Sequence, residues 1–129
     1  MTPLPNFLTL ADVLTIHANQ VELYGGEPGV RDPGLLESAM AQPRALFDGA
    51  FLHSDLFAMA GAYLFHIVQN HPFLDGNKRT GAVAALVFLD LNGVTIKAPE
   101  GSLYDLTLSV ATGQANKVVV AEFFRSHGH

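Results

Sequence analysis

Residues 54–91 read SDLFAMAGAYLFHIVQNHPFLDGNKRTGAVAALVFLDL, and they decide the fold. Ser54 or Asp55 offers an N-cap oxygen, and an apolar run follows to about Asn70. Leu56, Met59, Ala60, Tyr63, Leu64 and Ile67 fall on one face at helical spacing. Ala58, Gly61 and Ala62 lie on the other side, where small side chains let a second helix come close. This pattern predicts a helix buried nearly all round. A second run, from about Lys78 to Leu91, turns Val83, Ala84, Val87, Phe88 and Leu91 inward, and Asn92-Gly93 ends it. Asp75-Gly76-Asn77 between them is a turn signal. Two apolar helices joined by a polar loop predict the centre of a helical bundle.

Outward from this pair, Leu10–Leu23 carries apolar residues on roughly one helix face, and Gly25-Gly26 stops it. Residues 25–34, GGEPGVRDPG, hold four Gly and two Pro and read as a loop. With no Lys and no strand before it, this loop reads as a connection rather than a phosphate cradle. Asp32-Pro33 then serves as N-cap and first helical position for a helix over Leu35–Ala41. Residues 43–53 have turn chemistry at Asp48-Gly49 and read as a short hairpin or an irregular loop. Val94-Thr95-Ile96 is β-prone but too short for a sheet. Leu103–Ala111 and Val118–Phe124 give two more helices joined near Gly113, and Ser126–His129 reads as a frayed tail. The expected fold is a compact all-α bundle, one domain over residues 1–129, with the 71–80 loop between its two central buried helices.

Composition narrows the function. The 129 residues include seven Lys+Arg against twelve Asp+Glu, a net charge of −5. Seven cations hardly supply the basic face that nucleic acid or an anionic membrane requires. An apolar share of 49% argues against disorder. There is no cysteine, hence no disulfide and no thiolate metal site. The N-terminus lacks a charged n-region with an apolar run behind it. The longest apolar stretches, Leu56–Val68 and Gly81–Leu89, fall short of the roughly 18–20 residues of a membrane span. A cytoplasmic protein is expected.

The loop His71-Pro-Phe-Leu-Asp-Gly-Asn-Lys-Arg-Thr80 concentrates an imidazole, a carboxylate, an amide, an ammonium and a guanidinium between two buried helices. The helix after it aims its first free N–H groups and the positive end of its dipole at the loop, which makes an anion site. Lys78 and Arg79 add two cations there. A dipole alone favours acids at a helix start, so this pair points to an anionic ligand. Gly76 lets the backbone approach that ligand closely. Asp75 is a hard oxygen ligand suited to Mg²⁺. His71 can take a proton from an attacking hydroxyl near pH 7. Together these are the parts of a phosphoryl-transfer site, although no Walker loop is present.

Plainer readings compete. Asp-Gly-Asn alone is an ordinary turn, and a lone His at a helix end is ordinarily a cap or core residue. Phe73 reads as an apolar anchor of the loop rather than a stacking platform. His66 and His71 are five apart, not the i,i+4 pair of a zinc helix. His17 and His53 read as isolated structural residues.

The stretch HPFLDGNKRT resembles the signature of the Fic/Doc superfamily, H-x-F-x-[D/E]-G-N-x-R. Further stretches are similar to its death-on-curing (Doc) branch: Tyr24-Gly25-Gly26 with Pro28-Gly29 and Asp32-Pro33-Gly34, then Leu35–Ala39, then Leu106-Thr107 with Ala111-Thr112-Gly113. The resemblance implies an all-α bundle with the signature between two central helices. Fic enzymes transfer a nucleotide monophosphate to a protein hydroxyl. Their signature has Gly where this chain has Lys78 and a second Arg where it has Ala82. Doc toxins share both departures. The resemblance therefore implies a kinase that transfers the terminal phosphate of ATP, or of another nucleoside triphosphate, to a hydroxyl of a translation factor, elongation factor Tu being the known type of target. Adenylyl transfer of the Fic kind is the alternative, and a catalytically silent binding module is a third reading.

By the same resemblance His71 matches the general base and Asp75 the magnesium ligand. Gly76, Asn77, Lys78 and Arg79 match the phosphate-binding residues, and Phe73 matches the buried anchor. Residues 43–53 correspond loosely to a flap that aligns the target chain. A small antitoxin, whose partly disordered segment folds onto an apolar groove, is the implied partner.

Overall fold

The computed structural model describes residues 4–129. Six helices follow in order: α1 (Leu10–Tyr24), α2 (Pro33–Ala41), α3 (Leu56–Asn70), α4 (Asn77–Leu91), α5 (Ser102–Ala111) and α6 (Lys117–His127). A single 3-10 turn at Gln42–Arg44 and a hairpin of β1 (Leu46–Phe47) and β2 (Ala50–Phe51) separate α2 from α3. Side-chain caps fix several helix starts. Thr9 and Asp12 exchange hydrogen bonds in a reciprocal box at α1. Asp32 accepts from the Leu35 N–H, with Pro33 opening α2. Asp55, not Ser54, caps α3 by accepting from the Ala58 N–H. The start of α4 differs, because its N-cap is Gly76 and no side chain covers its N–H groups.

Helix α3 is the hub and packs against α2, α4, α5 and α6. Met59 to Leu64, Ile67 and Val68 are buried, as the all-round pattern predicts. Small residues set two close approaches. A Cβ on Gly61 would lie 3.0 Å from the Lys117 carbonyl oxygen of α6. One on Gly81 would lie 3.0 Å from Val68 Cγ2 and 3.2 Å from the Leu64 carbonyl oxygen of α3. The N-terminal segment is tied down by a buried hydrogen bond from the Leu8 N–H to the Tyr63 hydroxyl. No helix among the described residues is long and apolar enough to cross a membrane.

Two expectations need correction, and one pair of alternatives is decided. The inward face of α4 is rotated: Gly81, Ala84, Ala85, Phe88 and Leu89 are buried, while Leu91 is 50% exposed. Close packing on α3 selects the small residues of α4 for the interface, which moves Leu91 off it. The chain end does not fray. Helix α6 runs to His127, and Thr95 and His129 exchange backbone hydrogen bonds around an Ile96–Gly128 bridge. The β-prone segment 94–96 thus finds its partner in the C-terminus. Residues 43–53 do form the hairpin, with Leu46 opposite Phe51 and Phe47 opposite Ala50.

Beside α3 a polar cluster lies among apolar neighbours. Lys117 Nζ is 3.2 Å from His66 Nε2. Lysine only donates, so this ring nitrogen accepts and the imidazole is neutral. Burial, followed by the charge of Lys117 and the nearby His53, pushes the His66 pKa down to about 4. The unfolded chain therefore binds the proton more readily between pH 6.5 and about 4. Stability should rise with pH across this window and be lost as pH falls through it. For this partly exposed ring the loss is about 1–2 kcal/mol after discounting for solvent. Denaturant midpoints at pH 7 and pH 4.5 check this, and His66→Gln should flatten the difference by that amount.

Candidate active site

The loop between α3 and α4 is held on both sides by the chain that precedes it. His71 closes α3 in the left-handed conformation (φ 51°, ψ 53°), its N–H still bonded to the Ile67 carbonyl. This is an uncommon backbone state for a residue other than glycine. Arg31 holds it there. The Arg31 Nε donates to the His71 carbonyl at 2.7 Å, and Nη2 donates to the Asn70 carbonyl at 3.0 Å. A cation on these orphan carbonyls also suits the negative end of the α3 dipole. The Arg31 and Asp32 N–H groups both reach the Pro72 carbonyl, and the Leu74 N–H reaches the Gly29 carbonyl. Residues 25–34 are thus more than a connection: they brace the loop from one side.

Phe73 is fully buried and anchors the loop from inside. The Asn77 side chain closes the loop around it, with Oδ1 accepting from the Phe73 N–H and Nδ2 donating to the Phe73 carbonyl. The amide expected to bind phosphate is therefore occupied by the loop, and what Asn77 can present to a ligand is its backbone N–H. His17 of α1 is a site residue that sequence reasoning missed. Its ring lies 3.8 Å from that of Phe73 at 7°, and its Nε2 is 2.8 Å from the Asp75 carbonyl oxygen.

Asp75 is exposed on this frame. Its Oδ1 accepts from the Gly76 N–H at 2.9 Å and its Oδ2 from the Glu27 N–H at 3.3 Å. These two bonds, then the charges of Arg79 and Lys78, hold its carboxyl below the usual carboxylate range. Gly26 is needed for this approach, since a Cβ there would meet Asp75 Oδ2 at 3.0 Å, and its φ of 119° disfavours any side chain. Gly76, at φ 78°, turns the chain into α4.

Lys78 and Arg79 line a cleft of about 430 Å³ together with Asp75, Gly76 and Asn77. Arg79 is steadied by the Gly25 carbonyl at 3.0 Å and by the Tyr24 ring, 5.3 Å below its guanidinium. A guanidinium has five N–H groups, so donors remain for a ligand. The far wall of the cleft is largely apolar, from Ala82 and Val83 of α4 and Leu103 and Tyr104 of α5. One end is thus cationic with free helix N–H groups, and the other accepts a flat apolar body, the division a nucleoside phosphate needs. Phe73 lies behind the cleft rather than in its lining. His71 also lies outside the lining, exposed at the start of the loop, with no ring hydrogen bond among the described residues.

No group of three His, Cys, Asp or Glu side chains converges as a metal cage among the described residues. A lone exposed carboxylate, held ionised, still suits magnesium, which keeps waters and shares its remaining positions with phosphate oxygens.

Comparison with known proteins finds relatives along most of the chain. The sequence model of the Fic/DOC family matches residues 7–89, a span that includes α1 and the whole loop. The chain is 37% identical over 117 residues to the protein kinase doc of Escherichia phage P1, covering 88% of this chain and 89% of that protein. It is 44% identical over 92 residues to Toxin Doc of Mycolicibacterium smegmatis, covering 71% of this chain and 68% of that protein.

Proposed function

Because the chain belongs to the Fic/Doc family, we propose that it is a toxin kinase that moves the terminal phosphate of ATP to a hydroxyl of a translation factor. The cleft carries this reading most directly: Lys78 and Ala82 both line it. At the first position a lysine stem and charge fill the space that glycine leaves open in Fic enzymes. At the second, methyl stands where Fic enzymes have a second arginine. The phosphate chain is then held by Lys78, Arg79 and the first N–H groups of α4, with the nucleoside against Leu103 and Tyr104. The name of the phage relative, a protein kinase, supports transfer of phosphate rather than of a nucleotide.

The chemistry follows from position and charge. The target hydroxyl gives its proton to His71 as its oxygen bonds to the γ-phosphorus. The bond from that phosphorus to the β–γ bridging oxygen breaks, and ADP leaves. Lys78 and Arg79 neutralise the charge on the phosphate oxygens. Asp75 would hold Mg²⁺, which supplies further charge neutralisation when bound. The hairpin, with Leu46 and Phe47 exposed at its edge, is the surface along which we place the target segment. A small antitoxin with a partly disordered segment is the proposed neutralising partner, and the cytoplasm the proposed place of action.

A cell-free translation extract tests catalysis against mere occupation of a partner. The protein should halt synthesis at substoichiometric amounts, and Asp75→Ala should lose at least tenfold in potency with its melting temperature intact. Equal inhibition by both proteins would favour the silent binding module.

A further inference from the structure

The backbone carbonyl of Asp75 is held by a residue 58 positions away in sequence. His17 is 5% exposed, and among the described residues the one hydrogen bond of its ring joins Nε2 to the Asp75 carbonyl oxygen, at 2.8 Å. A carbonyl oxygen only accepts, so Nε2 carries the hydrogen. The ring cannot tilt away, because it lies flat on Phe73. The same edge of the ring faces Gly76, where an added Cβ would lie 3.7 Å from Cδ2 and from Nε2.

The carbonyl of Asp75 and the N–H of Gly76 belong to one planar peptide unit. That N–H donates to Asp75 Oδ1 at 2.9 Å. Holding the carbonyl therefore fixes the N–H, and the N–H fixes the carboxylate. Drawing electron density toward the carbonyl oxygen also strengthens the N–H as a donor. We infer that His17 is a positioning residue that holds the Asp75 carboxylate in place through the Asp75–Gly76 peptide. This rests on the proposed function only where it concerns magnesium. The placement of the carboxylate itself stands on the geometry.

The test compares His17→Phe, which keeps the flat stack and loses the N–H, with His17→Gln, which keeps a donor and loses the stack. His17→Met, lacking both, replaces the Phe variant should that one fail to fold. Two readouts are taken, the exchange rate of the Gly76 amide hydrogen and the Mg²⁺ concentration giving half-maximal phosphotransfer. In His17→Phe, or in His17→Met if it replaces it, exchange at Gly76 should speed up at least tenfold. The half-maximal Mg²⁺ should rise about as much, while the rate at saturating Mg²⁺ changes little. His17→Gln should recover most of both. Unchanged Gly76 exchange in His17→Phe, or equal losses in the Phe and Gln variants, would overturn the inference. If the unaltered protein transfers no phosphate, the proposed function fails, and the exchange measurement alone decides the role of His17.

Discussion

Phosphotransfer by a His71→Asn variant is expected to fall by about 10²–10⁴-fold, the usual worth of a positioned general base. Asparagine is the informative replacement here. Residue 71 has φ 51°, and asparagine tolerates the left-handed region better than alanine does. The side chain is exposed and makes no hydrogen bond among the described residues, so the melting temperature should stay within a few degrees of the parent. Arg31 still holds the residue 71 carbonyl, and Lys78 and Arg79 still hold phosphate, so nucleotide binding should persist. Loss of rate with binding kept separates a base from a structural cap. A variant as fast as the parent would show that the hydroxyl proton leaves without His71.

Phe73→Ala should cost roughly 3–5 kcal/mol, the range for deleting a fully buried aromatic ring. Three features of the site lean on this ring. It fills the space behind the loop, it backs the His17 imidazole, and its peptide groups are clasped by Asn77. In a chain of 129 residues, a loss of this size lowers the melting temperature by about 10–20 °C. Phe73→Leu keeps most of the volume and should cost under about 1.5 kcal/mol. A thermal melt of Phe73→Ala identical to that of the parent would refute the anchor role.

The central helix–loop–helix unit was legible because its signals are local. Apolar spacing marked α3, small residues at 58, 61 and 62 announced a close neighbour, and Asp-Gly-Asn marked the turn. The loop stood out as a candidate anion site for a related reason: Lys78 and Arg79 stand at a helix start where the dipole disfavours them. What escaped notice depends on distance along the chain. His17 meets Asp75 across 58 residues, and Arg31 meets His71 across 40, with no periodic pattern to link them. The role of residues 25–34 was hidden for the same reason, since a Gly/Pro-rich segment looks alike whether it crosses solvent or braces a loop. The side chain of Asn77 is engaged by the loop itself. Its type suits phosphate, yet the loop's own buried peptide groups claim the side chain first, because leaving them unpaired costs more than one ligand contact returns. The burial of Leu89 in place of Leu91 is a matter of helix rotation, which the contact with Gly81 decides and spacing alone does not.

The two family activities differ in which phosphorus is attacked. Incubating the protein and elongation factor Tu with Mg²⁺ and ATP labelled at either the α or the γ phosphate reads this directly. The Lys78 and Ala82 arrangement predicts label on the elongation factor from γ-labelled ATP and none from α-labelled ATP. Label arriving from the α position would contradict it and make the chain an adenylyltransferase.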